Sequence, residues 1–219
     1  MERLSGLTKF LGIPSLATVA LGGGLLWYSG NAENRYHNFI EESSRTVPIV
    51  RQVDGLDNAL GDLFDSEKAL THYIVKPMTV ISTGKTTIVQ PAIYHNPDIN
   101  ESLGELKSAR SNIARGNFSD NYEVRTLDGQ IRIMQDGLGR VERGKLEQFY
   151  EPQRTEIQGL QKRGSSELDL LKKEVPSDIL GKRESLINQT KGSLTAGLIL
   201  GISGLIGAAF YGLIKATDR

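Results

Sequence analysis

The stretch Leu194–Ile214 reads LTAGLILGISGLIGAAFYGLI and carries no charge. The uncharged run that contains it, 192–214 between Lys191 and Lys215, is 23 residues long. An α-helix needs about 20 apolar residues to cross a hydrocarbon core of roughly 30 Å. The run is therefore read as a transmembrane helix over 192–214, with 215–219 as a short tail.

A second run of the same kind lies near the other end, where Phe10–Tyr28 reads FLGIPSLATVALGGGLLWY. It has Arg3 and Lys9 on one flank and Trp27 and Tyr28 on the other, the basic and aromatic flanks of a span. A transmembrane helix is assigned to 10–30, after a nine-residue cytoplasmic segment, 1–9. A cleaved signal peptide is the alternative, given the small residues at Gly30-Asn31-Ala32. The length of the apolar run favours an anchor, because a signal core is about 7 to 15 residues.

Between the spans lies a polar domain, 31–191. From Glu33 to Lys191 it holds 22 basic and 24 acidic side chains. That balance does not suit nucleic acid, which calls for a basic excess on one face. The chain has no cysteine, which excludes disulfides, thiolate metal sites and cysteine nucleophiles. Arg3, Lys9, Lys215 and Arg219 flank the spans on their terminal sides, so both termini are placed in the cytoplasm and the domain outside it. The expected location is a cell membrane, with two passes.

Within the domain, Ile49, Val53, Leu56, Leu60, Leu63, Leu70 and Ile74 repeat at intervals of three and four, with Glu67 as the gap. That predicts a seamed helix after Pro48. Gly55 and Gly61 each weaken it by about 1 kcal/mol relative to alanine. Lys76–Gln90, KPMTVISTGKTTIVQ, is rich in β-branched residues and predicts a small β-hairpin turning at Thr83-Gly84-Lys85. Gly84-Lys85-Thr86 lacks the upstream glycine of a phosphate-binding loop. Asn96-Pro97-Asp98 predicts a helix start with Asn96 as cap, and Gly116-Asn117 its end.

The stretch 122–134 supports two readings. Asp128-Gly129 between β-formers fits a hairpin turn. The spacing of Val124, Leu127, Ile131, Met134, Leu138 and Val141 fits a helix and persists longer, so helix is preferred. It is expected to run on to Glu151 and to break at Pro152, with a further interruption at Gly164. Ser177 is read as the cap of a last helix that enters the second span.

No constellation for chemistry emerges. His37, His72 and His95 lie in different predicted elements without ligand spacing. A site from His72, His95 and Asp98 is the one combination the hairpin could assemble. Acidic residues recur on the outer faces of predicted helices, and no Gly-x-Ser-x-Gly elbow occurs in the domain. No catalytic residue, cofactor or metal is assigned, and an enzyme is not expected. Asn100, Asn117 and Asn188 begin glycosylation tripeptides.

The spans offer a packing signal instead. Ser193, Gly197 and Gly201 form one row of small residues and Gly204, Ala208 and Gly212 another, with Thr18/Gly22 and Ala20/Gly24 in the first span. Such rows let helices approach closely in lipid. The expected protein is mainly α: two transmembrane helices flanking an extracytoplasmic helical bundle or coiled-coil domain that carries one hairpin. Its layout is similar to the ligand-sensing half of bacterial receptors, an analogy of arrangement without a shared motif. A structural or adaptor role follows, with the lipid bilayer and either further copies of the chain or another membrane protein as partners. A sensor signalling through a separate cytoplasmic partner is the alternative, because Ala216–Arg219 leaves no room for an output domain.

Overall fold

A computed structural model describes residues 2–77, 81–83, 86–88, 91–116, 122–138 and 146–217. Side chains are described for 17–73, 93, 95–116, 124–137 and 148–209. The fold is mainly helical, with helices α1 (Glu2–Thr46), α2 (Ile49–Leu70), α3 (Ile99–Arg115), α4 (Tyr122–Leu138), α5 (Leu146–Glu174) and α6 (Ser177–Thr217). Between α2 and α3 come four short strands, β1 (Tyr73–Pro77), β2 (Ile81–Thr83), β3 (Thr86–Ile88) and β4 (Pro91–His95). Two units divide the chain: Met1–Thr46 with Pro176–Arg219, and Val47–Val175. The polar segments 31–46 and 176–191 thus belong with the long helices and not with the central unit.

In the first unit α1 and α6 pack side by side. Thr18 lies beside Gly204, Gly22 beside Gly197 and Gly201, Ser29 beside Thr190, and Phe39 beside Lys182. As numbers rise on one helix they fall on the other, so the pair is antiparallel. Its seam buries Gly22, Ser29, Ala32, Tyr36, Ile40 and Ser43 from α1, and Arg183, Ser193, Gly197 and Gly204 from α6. Mostly three- and four-residue steps keep these positions on one face of each helix.

The central unit has its core on α2. Val50, Val53, Leu56, Leu60, Leu63 and Leu70 are buried, against Leu103, Leu106 and Ile113 of α3 and Ile157, Leu160 and Leu168 of α5. Val124, Leu127 and Met134 of α4 complete it. Two polar pairs lie within it: the Ser66 and Ser102 hydroxyls lie 2.7 Å apart, and Asn112 donates to Asp62 Oδ2 at 2.6 Å. The gap at Glu67 holds a polar clasp, where its carboxylate accepts from Gln158 at 2.6 Å and from Gln161 at 3.1 Å.

Asp128 lies within α4 and pairs with Arg110 of α3 at 2.8 Å, so 122–134 is helix. Four other readings need correction. Ile74, read as the last position of the α2 seam, lies in strand β1, because α2 ends at Leu70 and the chain then pairs with β4, Ile74 opposite Tyr94. The α3 cap is Asp98, whose side chain accepts from the Glu101 amide at 2.9 Å, so the helix starts after it and not after Asn96. Pro152 lies inside α5: Tyr150 and Ile157, both buried, anchor the helix on either side of the lost backbone bond. Gly164 does not interrupt α5 either, since a Cβ there would sit 2.9 Å from Leu60 Cδ2 and its absence lets α5 approach α2. The Gly84-Lys85 turn, Asn117 and the continuation over 139–145 of the helix expected through Val141 lie outside the described residues.

Strands β1 and β4 pair antiparallel with Tyr73 opposite His95 and Pro77 opposite Pro91. The Asn96 amide donates to the His72 carbonyl at 2.8 Å, so hydrogen-bonded pairs fall at 72/96, 74/94 and 76/92. Pro77 and Pro91 therefore face each other at a non-bonded pair, where neither needs an N–H toward its partner. Strands β2 and β3 pair separately, with Ile81 opposite Ile88.

Candidate functional site

The small-residue row of α6 meets α1 unevenly. A Cβ on Gly22 would lie 2.6 Å from the Gly201 amide nitrogen and 2.9 Å from the Gly197 carbonyl oxygen, which is backbone against backbone. Gly204 is equally tight, 2.7 Å from Thr18 Oγ1 and 2.8 Å from the Val19 nitrogen, while Gly197 stands 3.1 Å from Leu26. Gly201 lends its backbone to Gly22, but a Cβ of its own would meet nothing within 4 Å. Ala208 is partly exposed, and the surroundings of Gly212 lie outside the described side chains. Gly22 and Thr18 stand in the small-residue row read in the first span, but which α6 glycine each meets is not written in the spacing of either helix.

The outside of the pair is apolar. Among the described residues one helix is long and apolar enough to cross a membrane, Ser177–Ala209, with a mean hydropathy of 1.7 over its most apolar window. Only 11% of that window is buried by the rest of the protein. Leu198, Ile199, Ile202, Leu205 and Ile206 all face outward, as do Leu21 and Trp27 of α1. Trp27 is 74% exposed, and Arg35 lies over the Tyr28 ring at 5.4 Å, which places an aromatic and basic group at one end of the apolar zone. An apolar patch of this extent marks a surface that contacts lipid or protein.

The central unit offers a cleft of about 290 Å³ between α2 and α3, lined by Asp65, Lys68, Ala69, His72, Glu101 and Glu105. Partial burial, then Asp62, Asp65 and Glu101 nearby, raise Glu105 above the usual carboxylate range. Among the described residues no group of three histidine or acidic side chains is arranged to hold a metal ion.

The three histidines are dispersed. His37 lies 3.8 Å from Glu33 on α1, and His72 lines the cleft. His95 bonds the Leu70 carbonyl through Nε2 at 2.8 Å and the Tyr150 hydroxyl through Nδ1. Because Asp98 caps α3 and both His95 nitrogens are engaged, His72, His95 and Asp98 do not form a joint site. The Tyr150–His95 contact spans 55 positions, so no local pattern could have announced it.

No protein-family profile, curated protein or solved structure matches this chain.

Proposed function

We propose that the chain is an integral membrane protein of two spans, with a structural or adaptor role and not a catalytic one. The observation that carries this reading is the exposed apolar surface of α6 together with its antiparallel partner. If 192–209 lies in lipid, the register sets the segment around Thr18–Leu26 beside it, at the same depth. Water would leave both surfaces unsatisfied, whereas a bilayer solvates them and lets glycine contacts hold the pair by close packing. We read the strand pairs as one hairpin arm on an extracytoplasmic helical domain. Assembly with further copies or with another membrane protein would use this domain and the outward small residues such as Gly201.

The absence of cysteine makes a labelling test direct. In intact cells, Ser5→Cys and Thr217→Cys should resist a membrane-impermeant thiol reagent, and Asp136→Cys, an exposed position of α4, should react. Reaction at the two terminal positions alone would invert the orientation, and reaction at all three would remove the membrane from the account.

A further inference from the structure

Arg35 and Lys191 stand at the end of the α1/α6 pair where its apolar exterior stops. Ser29 donates to the Thr190 carbonyl at 3.2 Å, which sets Tyr28 and Ser29 level with Thr190 and Lys191. On the apolar side of that level Leu194 and Leu198 of α6 are exposed, and so is Trp27 of α1. Arg35 is seven residues beyond Tyr28, about 10 Å along the axis of a helix. Its guanidinium nevertheless lies 5.4 Å from the centre of the Tyr28 ring, so the side chain runs back toward the apolar zone. Both cations are exposed, and they reach one depth from two helices.

Among the described residues neither charge is neutralised by an ion pair. The one carboxylate between Trp27 and Tyr36 or between Ser185 and Gly192 is Glu33, which lies 3.8 Å from His37. The face of an aromatic ring attracts a cation but takes up few of its donors, so the guanidinium fork of Arg35 is left for an oxygen acceptor. That fork matches the oxygens of a phosphate. A zwitterionic headgroup brings its own cation to the phosphate, so two unneutralised cations favour a net-negative one. The apolar surface beside them selects a lipid over a soluble anion: acyl chains cover Leu194, Leu198 and Trp27, which a free anion would leave in water.

We propose that Arg35 and Lys191 form a seat for anionic phospholipid in the leaflet at this end of the pair. Arg35, docked on Tyr28, holds one phosphodiester, and Lys191 draws another from α6. The seat presupposes the two spans and adds to them a preference for one lipid class.

Trp27 is the only tryptophan of the chain and stands at the seat, so its fluorescence reports which lipid lies beside it. The full chain is reconstituted in phosphatidylcholine vesicles in which a minor fraction of the lipid is chain-brominated, either as phosphatidylglycerol or as phosphatidylcholine. Brominated phosphatidylglycerol should quench Trp27 more, with an apparent association roughly fivefold stronger, the scale of one basic side chain at an anionic surface. Arg35→Gln should lower that preference, and Arg35→Gln with Lys191→Gln should remove it. Lys182→Gln should leave it, because Lys182 lies over Phe39, about 16 Å farther from the apolar zone. Equal quenching of wild type by the two lipids, a preference that survives the double variant, or one lost equally in Lys182→Gln would overturn the seat while leaving the spans intact. Loss of the preference in inorganic phosphate, but not in sodium chloride of equal ionic strength, would assign the cations to a free anion and overturn it as well. Quenching by neither lipid would remove the seat together with the first span.

Discussion

Gly55 and Gly61 look alike in the sequence, two glycines in one helix, yet their surroundings separate them. A Cβ on Gly55 would lie 2.6 Å from the Asn112 carbonyl oxygen and 2.8 Å from Gly116 Cα, atoms of backbone that cannot step aside. Nothing lies within 4 Å of a Cβ on Gly61. Gly55→Ala should therefore destabilise the protein by about 1–3 kcal/mol through overpacking, while Gly61→Ala should stabilise it by about 1 kcal/mol through helix propensity. Chemical denaturation monitored by circular dichroism distinguishes the signs. The sequence told that α2 is a helix, but not that one of its glycines is the point where α3 closes on it. The buried Ser66–Ser102 pair was likewise illegible, because a serine on a helix gives no sign of which other serine it meets 36 residues away.

Periodicity predicted α2, α3 and α4 well because each has a one-sided apolar stripe, and one-sidedness is what burial against a neighbour requires. The breaks read at Pro152 and Gly164 came from local backbone preference, which packing on both flanks outweighs. The pairing of α1 with α6 lies at the same scale and yields a directional prediction. In a membrane crosslinking assay, Ser29→Cys paired with Thr190→Cys should form a disulfide. Gly22→Leu or Gly204→Leu in that background should reduce its yield, since each added side chain strikes backbone. Gly201→Leu should leave it unchanged. Equal loss in all three would mean that the α1 contact is not what the glycines serve.

The acidic face between α2 and α3 gives a pH prediction. Glu105 titrates above its ordinary 4.5, so folding favours its protonated form. Its contribution to stability is fully present below pH 4.5 and is lost as pH rises through the higher folded value. Glu105→Gln should raise the urea midpoint at neutral pH and flatten its fall above pH 4.5. A neutral-pH midpoint lower than wild type would contradict the sign. The effect is small, because the side chain is largely solvated.

At the scale of the whole molecule, the apolar stretches and the polar domain between them were legible in the residues, but the boundary of that domain was not. The apolar runs end near Tyr28 and Gly192, while the paired helices continue to Thr46 and begin at Ser177, because a polar helix pair can bury a seam of alanine, serine and tyrosine without any hydropathy signal. Residues 47–175 made alone should be soluble and predominantly helical by circular dichroism, since that unit contains the α2-centred core complete. The central claim is that both apolar surfaces face lipid at once. Spin labels at Leu21→Cys on α1 and at Ile199→Cys and Leu205→Cys on α6, in reconstituted bilayers, test it through collision with oxygen against a water-soluble nickel complex. All three should show high oxygen and low nickel accessibility, as exposed positions in a hydrocarbon core do; high nickel accessibility at Leu21, or at both α6 positions, would contradict the two-span pair.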